Sequence, residues 1–346
     1  MTNLQKVTMG ECAQEQFNCL NSKNHLISDF LQDRQLCPDD GCMKKRAVIF
    51  NGHKKISGGM VSTRDIDNFK YAMNDKTFNR FSMFIQDELG IKMGSNKKIM
   101  LQARLMKRLR ALELSSYEEY YDYLFSSSGQ QQELSFFVHQ VTTNKTDFFR
   151  EPAHYRYLME VALPNLTSGK RYSARTPMRI WSAACSTGEE PYTLAMVLSE
   201  YAELHEAITF YILATDISPQ VLETASQGIY EESHIEQIPL HMQTKYLLRS
   251  KDKNKKLVRI APELRSQVLF QWMNLKNQPF SFEKNMEIIF CRNVIIYFSR
   301  STQEKVLRQL CNQLLPGGYI FMGHSETLAG LDLPINQVAP TIYRKK

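Results

Sequence analysis

From about residue 176 the chain alternates short apolar runs with helical stretches, and this alternation restricts the fold more than any other feature. Residues 178–184 (MRIWSAA) read as a strand ending in small residues, 191–203 as a helix, and 208–215 (ITFYILAT) as a second strand closed by Asp216. Residues 287–291 (EIIFC) and 319–323 (YIFMG) are the third and fourth strands, with a helix over 302–315 between them. Strands joined through helices run parallel and need cover on both faces, which predicts an α/β, doubly wound domain over 166–346. Residues 229–273 interrupt the alternation. Leu257–Ile260 and Val268–Trp272 there predict a small inserted antiparallel β subdomain.

The chain ahead of this domain has a different period. Phe78, Phe81, Phe84, Ile85 and Leu89 recur at helical spacing up to Gly90, and Leu101, Leu105, Leu109 and Leu112 form a second stripe. Further helices are expected over 117–125 and 134–142, so 71–165 reads as a small all-helical domain. Residues 1–70 show no sustained period and are expected to be a poorly ordered extension. Its cysteines, Cys12, Cys19, Cys37 and Cys42, form no CxxC pair, and His25 is not at a ligand spacing, so no metal site is expected.

Composition excludes whole classes. With 43% hydrophobic and 23% charged residues the chain is neither disordered nor low-complexity. No apolar run is long enough to span a bilayer, and the first residues carry no basic-then-apolar signal pattern. Seven cysteines, an odd number, suit reduced thiols, so a cytoplasmic protein is expected. The net charge of +7 is mild for a nucleic-acid binder, but it is unevenly spread. Residues 92–112 hold seven basic side chains and no acid, and 245–259 hold seven against one. Two basic surfaces are therefore expected to face an acidic partner.

Three strand ends carry chemistry. The first runs into Cys185-Ser186-Thr187-Gly188-Glu189-Glu190, a tight turn before a helix N-terminus. It lacks GxGxxG, and two carboxylates there would repel a pyrophosphate, which disfavours NAD and ATP and suits a cationic ligand such as S-adenosylmethionine. Equally, the pair reads as one that only stabilises the helix dipole. Asp216 ends the second strand, where an acid takes ribose hydroxyls or else caps the next helix. Arg292 and Asn293 end the third. A polar pair in so apolar a stretch needs partners, either a ligand or a buried carboxylate.

These segments carry a family resemblance. NKTDFFRE (144–151), SAACSTGEEPYTLA (182–195), ATDIS (214–218), IFCRNVIIYF (289–298) and LLPGGYIFMGHSE (314–326) resemble, in this order, the chemotaxis receptor methyltransferase (CheR) family, over about 75–346. The resemblance implies a helical domain followed by a class I methyltransferase domain. It implies methyl transfer from S-adenosylmethionine to glutamate side chains of chemotaxis receptors, leaving S-adenosylhomocysteine. By motif it implies cofactor contacts from Asn144, Thr146, Arg150, Glu190, Asp216, Asn274, Leu275, Arg292 and Asn293. Arg150 and Tyr297 are the pair it places near the reacting carboxylate. The basic helix, through Lys97, Arg104, Lys107 and Arg108, is expected to meet the receptor's acidic cytoplasmic helices. A monomer, with neither nucleic acid nor membrane insertion, completes the expectation.

Two features depart from the pattern. The front extension has no counterpart in the minimal family layout. The loop 249–256 lacks the glycine found where family members grip a receptor's C-terminal pentapeptide, although Asn254 tolerates a left-handed turn. The rival readings are a methyltransferase for another protein or for nucleic acid, and a catalytically silent cofactor-binding module. The strand end CRNVIIY is not the [DNS]PP[YFW] motif of amine-methylating nucleic-acid enzymes.

Overall fold

A computed structural model describes residues 72–346, apart from 170–171, 206–207, 278, 281, 283–284 and 329. The extension expected over 1–70, with its four cysteines, lies outside the described residues.

Helices α1 (Asp75–Leu89), α2 (Lys98–Ala111), α3 (Tyr117–Leu124), α4 (Ser127–Gln132) and α5 (Leu134–Val141) make the N-terminal module. Asn74 starts α1 by accepting the Thr77 N–H at 2.8 Å, and Gly90, at φ 74°, stops it. The two apolar stripes meet: Phe78, Phe81, Ile85 and Leu89 pack in one core with Leu101, Leu105 and Leu109. A fully buried side chain of this size contributes about 1.5–3 kcal/mol. That packing, not helix propensity, holds helices as short as the 8 residues of α3.

A linker leads to α6 (Pro152–Tyr157), which continues through a π-turn at Leu158–Ala162 into α7 (Leu163–Thr167). Then β1 (Met178–Ala183), α8 (Glu189–Leu204), β2 (Phe210–Asp216) and α9 (Pro219–Gln227) begin the sheet domain. The next segment holds β3 (Ile229–Glu231), α10 (Leu240–Tyr246), β4 (Leu247–Arg249), β5 (Leu257–Ile260) and α11 (Pro262–Arg265). The chain closes with β6 (Val268–Trp272), β7 (Met286–Cys291), α12 (Arg300–Gln313), β8 (Leu314–Met322), β9 (Ile335–Ala339) and β10 (Ile342–Lys345).

The main sheet has the order β6-β2-β1-β7-β8-β10-β9. The first five strands are parallel, and the last two add antiparallel contacts. Alternate residues serve opposite faces. Ile180, Ile212, Ile288 and Phe290 share one core with α8 and α9. Trp181, Leu213 and Ile289 share the other with Val306, Leu307 and Leu310 of α12. The strand order reverses between β1 and its neighbours β2 and β7, which opens a crevice at their C-terminal ends.

The structure corrects the expected insertion. Val268–Trp272 is the parallel edge strand of the main sheet, registered Ile212↔Val268 through Asp216↔Trp272. The antiparallel element is the three-stranded sheet β3-β5-β4, ending at Ile260. A five-residue apolar run reads alike in either setting, so its pattern does not choose between them. The left-handed position in the loop after β4 falls to Lys256, at φ 44°, while the Asn254 N–H donates to Asp252 Oδ1 at 3.1 Å.

Two cations of the basic helix have partners inside the module. Arg108 donates from Nε at 2.7 Å and Nη2 at 2.6 Å to the two oxygens of Glu133, which also accepts the Tyr120 hydroxyl at 2.9 Å. Arg104 donates from Nη1 to the carbonyls of Val141 at 2.8 Å and Thr142 at 3.1 Å, closing the C-terminus of α5. Both guanidiniums thus help hold the module together, and both stay partly exposed. Lys107 is exposed, and Lys97 donates to the Lys92 carbonyl at 2.9 Å. Removing one partner of a buried pair costs about 3–5 kcal/mol. The Arg108 side chain keeps 18% exposure against 2% for Glu133, so Arg108→Ala is expected to cost somewhat less, about 2–3 kcal/mol. Thermal unfolding checks this, and an unchanged Tm would rule the pair out as a structural tie.

Candidate active site

The crevice at the sheet's C-terminal edge is built from three turns and the linker. The turn after β1 needs unusual backbone: Ala184 and Ser186 have φ of 64° and 51°, and Gly188 has φ 99°. A Cβ on Gly188 would stand 2.8 Å from the Tyr230 hydroxyl and 2.9 Å from the Ala225 Cβ, so only glycine fits there. Asp216 pins this turn to the next. Its Oδ2 accepts the Ser186 N–H and its Oδ1 the Ser218 N–H, each at 2.9 Å. Burial pushes the Asp216 carboxyl up, and these N–H donors work against that rise.

Glu190 and Glu189 separate in role. Glu190 faces the crevice and accepts the Ser182 hydroxyl at 2.7 Å, while Glu189 is buried and accepts the Thr187 hydroxyl at 2.6 Å. Arg292 lies at the end of β7 with only 2% of its side chain exposed. It reaches Glu190 Oε2 at 3.2 Å, Glu151 Oε2 at 3.2 Å, the Tyr155 hydroxyl at 3.1 Å and the Arg150 carbonyl at 2.6 Å. Of the two readings open for Arg292, the one with buried carboxylate partners is what this geometry displays. Burial pushes Glu190 up, and Arg292 opposes that.

One cavity, about 1030 Å³ of empty space open to solvent, is lined by Asn144, Thr146, Arg150, Glu190, Asp216, Asn274, Leu275, Arg292, Asn293 and Tyr297. Lys97, Arg104, Lys107 and Arg108 do not line it. Some liners are already engaged. The Asn274 amide donates to the Glu88 carbonyl at 2.8 Å while its Oδ1 accepts the Lys276 N–H at 3.0 Å. The Asn144 carbonyl accepts the Ser186 hydroxyl at 2.8 Å. Arg150 donates to the Lys145 carbonyl at 3.0 Å and keeps further N–H groups for a ligand. Burial raises the thiols of Cys185 and Cys291 well above their ordinary value, which leaves both as protonated packing groups.

Sequence reasoning gave no role to Glu326. This carboxylate, 4% exposed, accepts four backbone N–H groups: Gly323 at 2.7 Å, Val294 and Ile295 at 2.9 Å, and Asn293 at 3.0 Å. It fixes the turn that carries Asn293, whose φ is 58°. The absent side chain of Gly323 makes room, since a Cβ there would lie 2.5 Å from Asn293 Nδ2. The signal was an acid just past a parallel strand end, in GHSE. Tyr155 and Ser186 carry no local signal, because their partners Arg292, Asn144 and Asp216 lie 30 or more residues away.

Family comparison reaches the same ground. The family described as "CheR methyltransferase, SAM binding domain" matches residues 144–343, and "CheR methyltransferase, all-alpha domain" matches 76–142. A chemotaxis protein methyltransferase of Borreliella burgdorferi is 36% identical over 80% of this chain and 97% of its own length. Chemotaxis protein methyltransferase 2 of Pseudomonas aeruginosa is 38% identical over 73% and 87%. The Escherichia coli K12 chemotaxis protein methyltransferase is 35% identical over 79% and 92%.

Hydrogen bonds to a charged acceptor contribute about 1.5–3 kcal/mol each. Glu326→Ala removes that acceptor from four N–H groups at once. Amide hydrogen exchange at residues 293–295 is expected to accelerate strongly, with little change along α12. Wild-type protection at 293–295 in this variant would show that Glu326 does not hold the turn.

Proposed function

This chain belongs to the CheR methyltransferase family, and from that premise we propose that it forms methyl esters on glutamate side chains of chemotaxis receptors. It is an S-adenosylmethionine-dependent methyltransferase that acts on chemoreceptors. The finer reading, the ester, is carried by one observation: carboxylates suited to a cationic cofactor and an arginine suited to an anionic acceptor line the same cavity.

The residues fit the cofactor on chemical grounds. Glu190 and Asp216 supply negative charge that a pyrophosphate would not tolerate and a sulfonium with a free amine does. In this reading Asp216 keeps lone pairs for ribose hydroxyls beyond its two N–H contacts. Asn144, Thr146, Leu275, Arg292 and Asn293 complete the wall, and Asn274 shapes it through its tie to α1. When bound, S-adenosylmethionine supplies a methyl group on sulfur that is ready for displacement.

The chain then has little proton chemistry to do. A glutamate, with an ordinary pKa of about 4.3, is already the nucleophile at neutral pH. Arg150 orients it by charge-assisted hydrogen bonds, and Tyr297 positions it. Holding the reacting atoms close and excluding water is the main contribution, worth several kcal/mol. Lys97, Lys107 and the exposed parts of Arg104 and Arg108 form the basic surface for receptor contact in this reading.

Methyl-labelled cofactor and a receptor cytoplasmic fragment test the reading. Label released as methanol by mild base identifies an ester, whereas base-stable label points to N-methylation and removes the proposal. Arg150→Ala is expected to lower turnover roughly 10- to 100-fold, the loss of a charged hydrogen bond, with Tm unchanged. Wild-type turnover in that variant would exclude Arg150 as the orienting group.

Asp216→Asn is the sharper cofactor probe because it keeps shape and volume. It is expected to weaken S-adenosylmethionine binding at least ~10-fold by calorimetry. An unchanged Kd would take Asp216 out of the cofactor site.

A further inference from the structure

Where the linker enters α6, three side chains of metal-ligand type converge with the turn after β8. Ligand atoms of Glu151, His154 and His324 all lie within 4.8 Å of one another. His154 Nδ1 is 3.4 Å from Glu151 Oε2, and His324 Nε2 is 3.7 Å from that same oxygen. Ligand atoms about 2.0–2.2 Å from a tetrahedral ion are about 3.3–3.6 Å apart. The two separations to Glu151 Oε2 are close to this, and the two imidazoles, within 4.8 Å of each other, would close in by movement of the exposed His324.

Two of the three atoms are buried without a hydrogen-bond partner: Glu151 Oε2 and His154 Nδ1. Their side chains are 10% and 2% exposed. The far nitrogen of His154 explains why. Its Nε2 is 2.9 Å from Thr341 Oγ1, whose own proton goes to the Pro340 carbonyl at 2.7 Å. Nε2 is therefore the donor, and the Nδ1 lone pair faces Glu151. Two buried acceptors 3.4 Å apart repel each other, and the Arg292 guanidinium faces only the Glu151 oxygen of the two. Arg292 Nη2 approaches Glu151 Oε2 at 3.2 Å but is directed to the Arg150 carbonyl at 2.6 Å, and it leaves that oxygen without a hydrogen bond.

We propose that Glu151, His154 and His324 form a binding site for one transition-metal dication of the zinc class, beside the methyl-transfer cavity. Two imidazoles and one carboxylate select such an ion over magnesium or calcium, which prefer all-oxygen sets. Thr341 is the outer partner that orients the buried imidazole. His324, 60% exposed, gives entry from solvent, and three protein ligands leave one position open. None of the three residues lines the cavity, so the ion takes no part in the transfer.

Thiolates are also ligands for such ions, so the readout must identify the ligands. Co2+ alone is titrated into the full chain and into His324→Ala and Glu151→Gln, and the visible absorption is followed. The wild-type difference spectrum against His324→Ala is expected to show one equivalent of low-symmetry Co2+ without thiolate charge transfer. Both variants are expected to lose roughly tenfold or more in affinity for that equivalent, with His324→Ala keeping the wild-type Tm. A wild-type chain that binds no such equivalent, or variants that bind it unchanged, would overturn the proposal. Neither cofactor nor receptor enters the measurement, so its failure leaves the methyl-transfer reading untouched.

Discussion

The buried guanidinium of Arg292 is the tie on which the site depends. It comes from the end of β7 and reaches Glu190 at the start of α8, Glu151 and the Arg150 carbonyl in the linker, and Tyr155 in α6. Three stretches far apart in sequence, 150–155, the start of α8 and the end of β7, meet at one planar group. A charge buried this deeply is tolerable only with such partners, and taking any one away exposes the others to the full cost of burial. Lysine, a point charge without the planar fork, would not serve several directions at once.

Around that tie, carboxylates do structural work that backbone alone would not. Asp216 bridges the turns after β1 and β2, and Glu326 gathers four N–H groups after β7 and β8. Both acids are pushed up by burial and pulled down by the N–H groups they accept. The turns at the sheet's edge are thereby held in conformations, at Ser186 and Asn293, that non-glycine residues seldom adopt. Such preorganisation is what displacement chemistry needs when no general base is required.

Much of this was legible in the sequence. The alternation after residue 176 fixes parallel strands because helices must cross between them, and apolar stripes of period 3.6 fix the helical module. What stayed hidden leaves no local mark in the sequence. Arg104 and Arg108 looked like a solvent-facing basic arc because Glu133 and the end of α5 come 25 or more residues later. Glu326 looked like part of a motif without a task because its four donors are backbone groups, which leave no mark on residue identity. The strands β9 and β10 escaped because a half-exposed edge hairpin carries little apolar signal, and β9 has no buried residue at all.

The helical module and the cavity are physically joined. The last turn of α1 hands the Glu88 carbonyl to Asn274, and Gly90 lies against Phe298. Just beyond, Ile91 bridges to Phe298 and the Lys92 N–H donates to the Tyr297 carbonyl at 2.8 Å. Leu89, Ile91, Asn274 and Tyr297 all line the cavity. The module is thus a wall of the cavity as well as its neighbour. The Lys92–Tyr297 and Ile91–Phe298 contacts tie the module's backbone directly to the turn that carries Tyr297, so neither can shift without the other.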